Sequence, residues 1–177
     1  MKPIPTEYNG TEYRSRLEAR WALFLDEVGC FANYEPFAIE HNNLSYTPDF
    51  YVMPHHFMSD GPYLIEIKPI QPNERYLKYL TDVHCPGKSD ILVCVGQPSF
   101  DQPNGYHIST IYSKEGNKTL ISKGFCLIQC PECKRYTVNG HEDAKKGYGF
   151  LSCGSYHVTS KDLNVAELLS HSHRFDL

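Results

Sequence analysis

Asp49, Glu66 and Lys68 are residue types that can cut a phosphodiester if they meet. They stand in "TPDF" (residues 47–50) and "IEIK" (residues 65–68). Side chains on a strand alternate between faces, so Glu66 and Lys68 share one face while Ile65 and Ile67 point the other way, into a core. Asp49 lies 17 residues before Glu66, a fitting separation for a neighbouring strand joined by a loop. If those strands pair, two carboxylates converge, and one must take up a proton or both must share a cation. A few hard oxygen ligands, with room left for water and phosphate, suit Mg²⁺ or Mn²⁺. Such an ion polarises a phosphodiester, lowers the pKa of a bound water and steadies the charge on the leaving oxygen. Lys68 would position or deprotonate the attacking water, or stabilise the pentacovalent phosphorane. The plainer alternatives are a turn aspartate after Pro48, and a solvent-facing Glu66/Lys68 pair on an edge strand.

A third carboxylate sits upstream. The segment 15–28 reads as an amphipathic helix, with Leu17, Trp21, Phe24 and Val28 at i, i+4, i+7 and i+11 and Leu25 widening the stripe. Ser15 is a good N-cap and Gly29 suits the position after the C-terminus. Glu18 lies in line with Ala22 and Leu25, at the margin of the apolar face, where a desolvated carboxylate needs a partner. Ser15-x-x-Glu18 is also a capping box, which accounts for Glu18 without any metal. Arg14, Arg16 and Arg20 crowd around it, either as helix salt bridges or as phosphate contacts. Glu35, in "YEP", is read as structural.

Asp49 after Pro48, then Glu66-Ile67-Lys68, resembles the PD-(D/E)XK signature of the restriction-endonuclease-like superfamily. The run "YRSRLEARWALFLDEVG", "YEP", "YTPDFYV", "IEIKP" is similar to small phage and bacterial proteins of that superfamily. The "TPDF … EIKP" portion also resembles the endonuclease subunit of certain cut-and-paste transposons. The resemblance covers roughly residues 8–100. It implies a restriction-endonuclease-like core, a mixed central sheet flanked by helices, and Mg²⁺-dependent DNA cleavage leaving 5′-phosphate and 3′-hydroxyl. Glu18, Asp49, Glu66 and Lys68 would be the active-site set, with the Ile67 carbonyl helping to hold one or two Mg²⁺. The superfamily often has a Gln, Glu or Lys on the helix after the ExK strand. Gln71, Glu74, Arg75 and Lys78 are the candidates here.

Those residues need elements to hold them. "FANYEPFAIEH" predicts one or two short strands broken at Pro36, and "HNNLS" a turn. "SYTPDFYVM" and "PYLIEIKPI" predict strands joined by "PHHFMSDG", whose His55 and His56 are read as solvated or at best touching substrate. A helix follows over roughly 72–83, then a buried strand in "DILVCVG" and another in "YHISTIYS". The fold class is therefore mixed α/β.

From about 119 the texture changes to Cys, Gly and basic residues, and a boundary is placed near "SKEGNKT". Residues 1–118 form the core and residues 119–177 a small module with a closing helix, "KDLNVAELLSHSHRF". Cys130, Cys133, Cys153 and His157 follow C-x2-C-x19-C-x3-H, the ligand types of a closed structural Zn²⁺ site. Cys126 and His141 are alternates for one position, and a redox pair or free thiols is the plainer alternative. A module of this size needs the metal to fold. Lys134, Arg135, Lys145 and Lys146 would contact DNA backbone, unless the module is a clamp against the core. Cys30, Cys85 and Cys94 are isolated and read as buried thiols.

With 41% hydrophobic and 21% charged residues the chain is expected to be globular. Its net charge of −4 argues against wholesale polyanion binding. The distribution is uneven: residues 1–112 hold 8 Lys/Arg against 14 Asp/Glu, while residues 113–161 hold 8 against 4. The basic excess coincides with the cysteines. No apolar run approaches the roughly 20 residues that span a bilayer, and the polar, Pro-bearing start is no signal peptide. A cytoplasmic site is expected, in the host cytoplasm if the chain is phage-encoded. The partner would be DNA, with a homodimer or a recombination or transposition partner as further expectations. Two rival functions remain open: a retired nuclease core serving as a zinc-containing DNA-binding adaptor, and a strand-cleaving subunit active only within a transposition or recombination complex.

Overall fold

A computed structural model describes residues 2–27, 29–53, 62–84, 89–98, 105–111, 116, 118–123, 125–129 and 136–140. Among them the fold is mixed α/β: a mainly antiparallel six-stranded sheet, two helices and three two-stranded hairpins.

The chain opens with a hairpin that the sequence reading did not anticipate. Strands β1 (Thr6–Tyr8) and β2 (Thr11–Tyr13) pair around Asn9-Gly10. Both turn residues have positive φ, 48° and 76°, which is the two-residue turn that Asn-Gly favours. Helix α1 (Arg16–Glu27) follows, with Ala19, Trp21, Phe24 and Leu25 buried. Gly29, at φ 71°, ends it: its N–H donates to Asp26 O at 2.9 Å and the Cys30 N–H to Leu25 O at 2.8 Å. Val28 lies outside the described residues.

Strand β3 (Phe31–Tyr34) is one edge of the main sheet. Strands β4 (Ile39–His41) and β5 (Leu44–Tyr46) form a hairpin around Asn42-Asn43, again both at positive φ. Strands β6 (Phe50–Met53) and β7 (Tyr63–Lys68) pair antiparallel, and helix α2 (Glu74–Val83) carries the chain to β8 (Asp90–Val95), parallel to β7. α2 starts later than the expected 72 because Asn73 caps it, its side chain accepting from the Tyr76 N–H at 2.9 Å. Strands β9 (Gly105–Ile111) and β10 (Lys118–Lys123) complete the order β10-β9-β8-β7-β6-β3. The sheet thus runs a few residues past the composition change at 118/119. Strands β11 (Phe125–Gln129) and β12 (Tyr136–Gly140) form a separate hairpin.

The alternation of β7 divides the core. Tyr63, Ile65 and Ile67 pack with Trp21, Phe24 and Phe50 on the α1 side. Leu64 packs with Leu77, Leu80, Val83, Ile91 and Val93 on the α2 side. β7 and β8 are therefore buried on both faces, which is why "ILVCV" is continuously apolar. Cys94 is buried and Cys30 half-buried, and burial pushes the Cys30 thiol up to about 11. Cys85 lies outside the described residues. No helix among those described is long and apolar enough to cross a membrane.

Candidate active site

Glu66 and Lys68 are on the α2 face of β7, a central strand, so the edge-pair alternative does not hold. Phe50 sits across from Ile65 at the end of the β6–β7 ladder, and Asp49, just before it, is near enough to Glu66 for the two charges to repel. Asp49 is 2% exposed and Glu66 4%. Such burial is not that of a turn aspartate.

Asp49 accepts the Ile67 backbone N–H at 2.6 Å through Oδ2, and Arg14 donates to its Oδ1. Burial, then repulsion from Glu66 and from Glu18, pushes the Asp49 carboxyl up to about 7, against the lowering effect of the Ile67 bond and Lys68. Glu66 is held from three sides: the Tyr46 hydroxyl donates to Oε2 at 3.1 Å, the Tyr76 hydroxyl to Oε1 at 2.6 Å, and Lys68 Nζ to the same oxygen. Lys68 Nζ also lies 4.9 Å from the centroid of the Tyr76 ring. Burial and Glu66 raise both tyrosines well above their ordinary value, so they stay protonated as donors.

Glu18, from the first turn of α1, closes the site from the other side of the sheet. The capping box is present in altered form. The Glu18 N–H donates to Ser15 Oγ at 3.2 Å, and the Ser15 hydroxyl donates to Glu18 Oε1 at 2.9 Å. The carboxylate does not reach back to the Ser15 amide. Its Oε2 takes the Arg14 N–H at 3.1 Å and the Tyr34 hydroxyl at 2.6 Å instead. Capping and a place in the acidic group are thus compatible.

Arg14 links the carboxylates. Its guanidinium bonds Asp49, pairs with Glu35 at 3.0 Å and stands 3.8 Å from Glu18. Glu35 holds the surroundings in place: at φ 41° its N–H donates to the Asp49 carbonyl at 3.0 Å and its carboxylate pairs with Arg14. Among the described residues no three His, Cys, Asp or Glu side chains are gathered closely enough to hold a metal as they stand. Arg14 and Lys68 occupy the carboxylates.

A cleft of about 550 Å³ opens over Glu18, Asp49 and Lys68, lined also by Lys2, Arg14, Arg16 and Ile67, and Glu66 is not on its wall. Lys2, unmarked in the sequence, stands at its wall. Arg16 and Arg20 carry no ion pair among the described residues, and the Nε of each is buried without a hydrogen bond there. Arg20 is not among the residues that line the cleft.

Several expectations shift. Gln71, Glu74, Arg75 and Lys78 are all exposed, and Lys78 pairs with Asp82 at 2.8 Å. The α2 residue that reaches Glu66 is Tyr76, whose i+3 spacing from the cap Asn73 is its only sequence signal. Tyr34 and Tyr46 carry no signal beyond strand propensity. Gly96, at φ 78°, ties the site together through backbone: its N–H donates to Lys68 O at 2.8 Å and its carbonyl accepts Trp21 Nε1 at 3.0 Å. His55 and His56 lie outside the described residues. So do Cys130, Cys133, His141, Cys153 and His157, and with them Lys134, Arg135, Lys145 and Lys146. Cys126 is on β11, across from Asn139, and the Cys130–Cys133 knuckle falls in the sequence between β11 and β12.

Compared with models of protein families, with curated proteins and with solved structures, the chain gives no match.

Proposed function

We propose that the chain is a metal-dependent endodeoxyribonuclease with a restriction-endonuclease-like core, hydrolysing DNA phosphodiesters with Mg²⁺ or Mn²⁺. One observation carries this reading: Asp49 and Glu66 are buried near enough to repel, the Asp49 carboxyl is pushed up to about 7 first by burial and then by Glu66, and Asp49 and Lys68 line an open cleft. A fold does not keep such a pair without a use, since burying like charges costs stability.

The donor set fits a hard divalent cation. Its atoms are carboxylate oxygens, and a divalent charge would offset both the burial and the repulsion that push Asp49 up. Glu18, Asp49 and Glu66 would hold it, with the Ile67 backbone alongside. When bound, the ion supplies Lewis acidity and an acidified water. The chain supplies the rest. Tyr46 and Tyr76 fix the Glu66 carboxylate. Lys68, held between Glu66 and the Tyr76 ring, is placed to attend the attacking water or the charged phosphoryl oxygens. Lys2, Arg14 and Arg16 offer positive charge to the phosphate backbone at the cleft wall. On its ligand types alone, the Cys-rich segment is proposed as a structural Zn²⁺ module, with Cys130, Cys133, Cys153 and His157 as ligands.

The rival reading, a retired core that binds without cutting, draws on Arg14, whose single positive charge already stands among Asp49, Glu35 and Glu18. Arg14→Gln separates the two. In the nuclease reading Arg14 competes with the metal, so the substitution tightens Mn²⁺ binding by about tenfold, the interaction being weakened by the exposure of the guanidinium. Calorimetric titration of wild type and variant measures this. Equal or absent binding in both supports the retired core. The reading as a whole is tested on linear, nicked, branched and supercoiled DNA. Cutting is expected with Mg²⁺ or Mn²⁺ and not with Ca²⁺, and failure to cut any form with either ion refutes it.

A further inference from the structure

A second cavity, of about 370 Å³, lies on the α2 side of the sheet, away from the carboxylate cleft. Phe37, Tyr46, Tyr51, Leu64 and Ile91 line it, with Phe37 and Tyr51 in edge-to-face contact at 5.4 Å. Its other wall is His84, the C-cap of α2. His84 is 4% exposed, yet neither ring nitrogen has a hydrogen-bond partner among the described residues. Its backbone N–H is satisfied by Leu80 O at 3.0 Å, so only the imidazole is left over. The nearby Asp90 carboxylate is taken by His107 Nε2 at 2.8 Å.

A buried polar group left unpaired costs stability, and native folds rarely keep one without a ligand or a role. Burial lowers the His84 pKa, so the ring is neutral at physiological pH. A neutral imidazole offers one N–H donor and one lone-pair acceptor. The complement is a group that both accepts and donates. The surrounding rings favour a flat π-system. An anionic ligand is disfavoured, because Glu40, the one charged residue on the wall, would repel it.

We propose that this cavity binds a neutral, planar heteroaromatic ring of nucleobase type, its donor–acceptor edge read by His84 and its face packed among Phe37, Tyr46 and Tyr51. Tyr46 also reaches the acidic group, since its hydroxyl donates to Glu66. The inference does not rest on the nuclease reading. The ring can come from a free nucleoside or from a base of a DNA strand, and the test distinguishes these.

The experiment is a titration of the full chain, followed by the imidazole NMR signals, with thymidine, adenosine and a short oligothymidylate as probes. The His84 signal is assigned by its loss in His84→Phe, a ring of similar shape that removes the orphan nitrogens. A saturable shift of the His84 signal is expected. In calorimetric titration with the same probes, Phe37→Ala, which truncates a residue already 45% exposed, weakens binding at least tenfold, and His84→Phe abolishes it. A nucleoside binding as tightly as the oligonucleotide identifies the free ligand as the source, and tenfold tighter oligonucleotide binding identifies the strand. No shift at millimolar nucleoside or oligonucleotide, a merely hydrated cavity, overturns the proposal. So does binding that survives both substitutions. Mn²⁺ broadening of signals near Asp49, read on the same samples, reports on the nuclease site separately.

Discussion

Asp49→Ala lowers Mg²⁺-dependent plasmid cleavage by about 10³-fold, the scale of losing one preorganised electrostatic group at a reacting centre. The size follows from where Asp49 stands. It is buried near Glu66, and no described carboxylate besides Glu18 and Glu35 lies on the Arg14 side to replace it. Glu35 is about a third exposed and turned to Arg14, so it substitutes poorly. Lys68→Ala costs less, about 10²-fold, because the acidified water survives and only its alignment and charge stabilisation are lost. DNA binding, proposed to rest on Lys2, Arg14 and Arg16, is expected to change little in either variant. Rates from supercoiled plasmid and affinities from gel shift are compared on the same preparations. Cutting that persists in Asp49→Ala places the active site elsewhere.

In metal-free buffer, Asp49→Asn makes the protein more stable at pH 8 and removes a pH dependence that the wild type shows. The Asp49 carboxyl titrates at 3.8 unfolded and at about 7 folded. The folded state therefore holds the proton more tightly. Its stabilising effect is complete below about pH 4 and is lost as pH rises through 7. The interval corresponds to about 4 kcal/mol in principle, and about 2–3 kcal/mol once local relaxation eases the burial and the repulsion. Asparagine keeps the shape and the bond from the Ile67 N–H but carries no charge. The difference in unfolding free energy between the two proteins, measured by denaturant titration at pH 4, 6 and 8 with chelator present, isolates this residue from other titrating groups. The difference is small at pH 4 and largest at pH 8. Mn²⁺ at pH 8 stabilises the wild type alone, because the ion takes the place of the proton. A difference that stays flat from pH 4 to 8 means burial and the neighbouring carboxylates do not raise Asp49 as described.

Much of the scaffold was legible because it rests on local rules. The stripe Trp21-Phe24-Leu25, the stop at Gly29 and the turn at Asn42-Asn43 depend on spacing and backbone preference alone. The alternation of Tyr63–Lys68 shows which side Glu66 faces, whatever the partner strand. The β1–β2 hairpin carried its signal, Asn-Gly between two Thr-Glu-Tyr triplets, but three-residue strands with a single buried residue each hold too little apolar pattern to stand out. β10 was obscured because a basic, Gly-bearing stretch leads into it, and pairing with β9, not composition, makes it part of the sheet.

The site was legible in its carboxylates and illegible in what holds them. A tyrosine on a strand reads as core, and nothing in the spacing of Tyr34, Tyr46 or Tyr76 shows that each ends on a carboxylate. Arg14 reads as an i, i+4 partner of Glu18, which it is only loosely at 3.8 Å. Its bond to Asp49, 35 residues away, depends on the hairpin that sets the entry to α1 and on the β6–β7 register. Long-range electrostatics of this kind is written in tertiary geometry.

The central claim is that Asp49 and Glu66, with Glu18, share a hard divalent cation. Anomalous diffraction from crystals soaked in Mn²⁺ locates the ion directly. The account predicts a peak within coordination distance of the Asp49 and Glu66 carboxylates, with the Arg14 side chain displaced from Asp49, and no such peak in Asp49→Asn. A peak that avoids both carboxylates, or Arg14 still bonded to Asp49 in a fully soaked crystal, contradicts it.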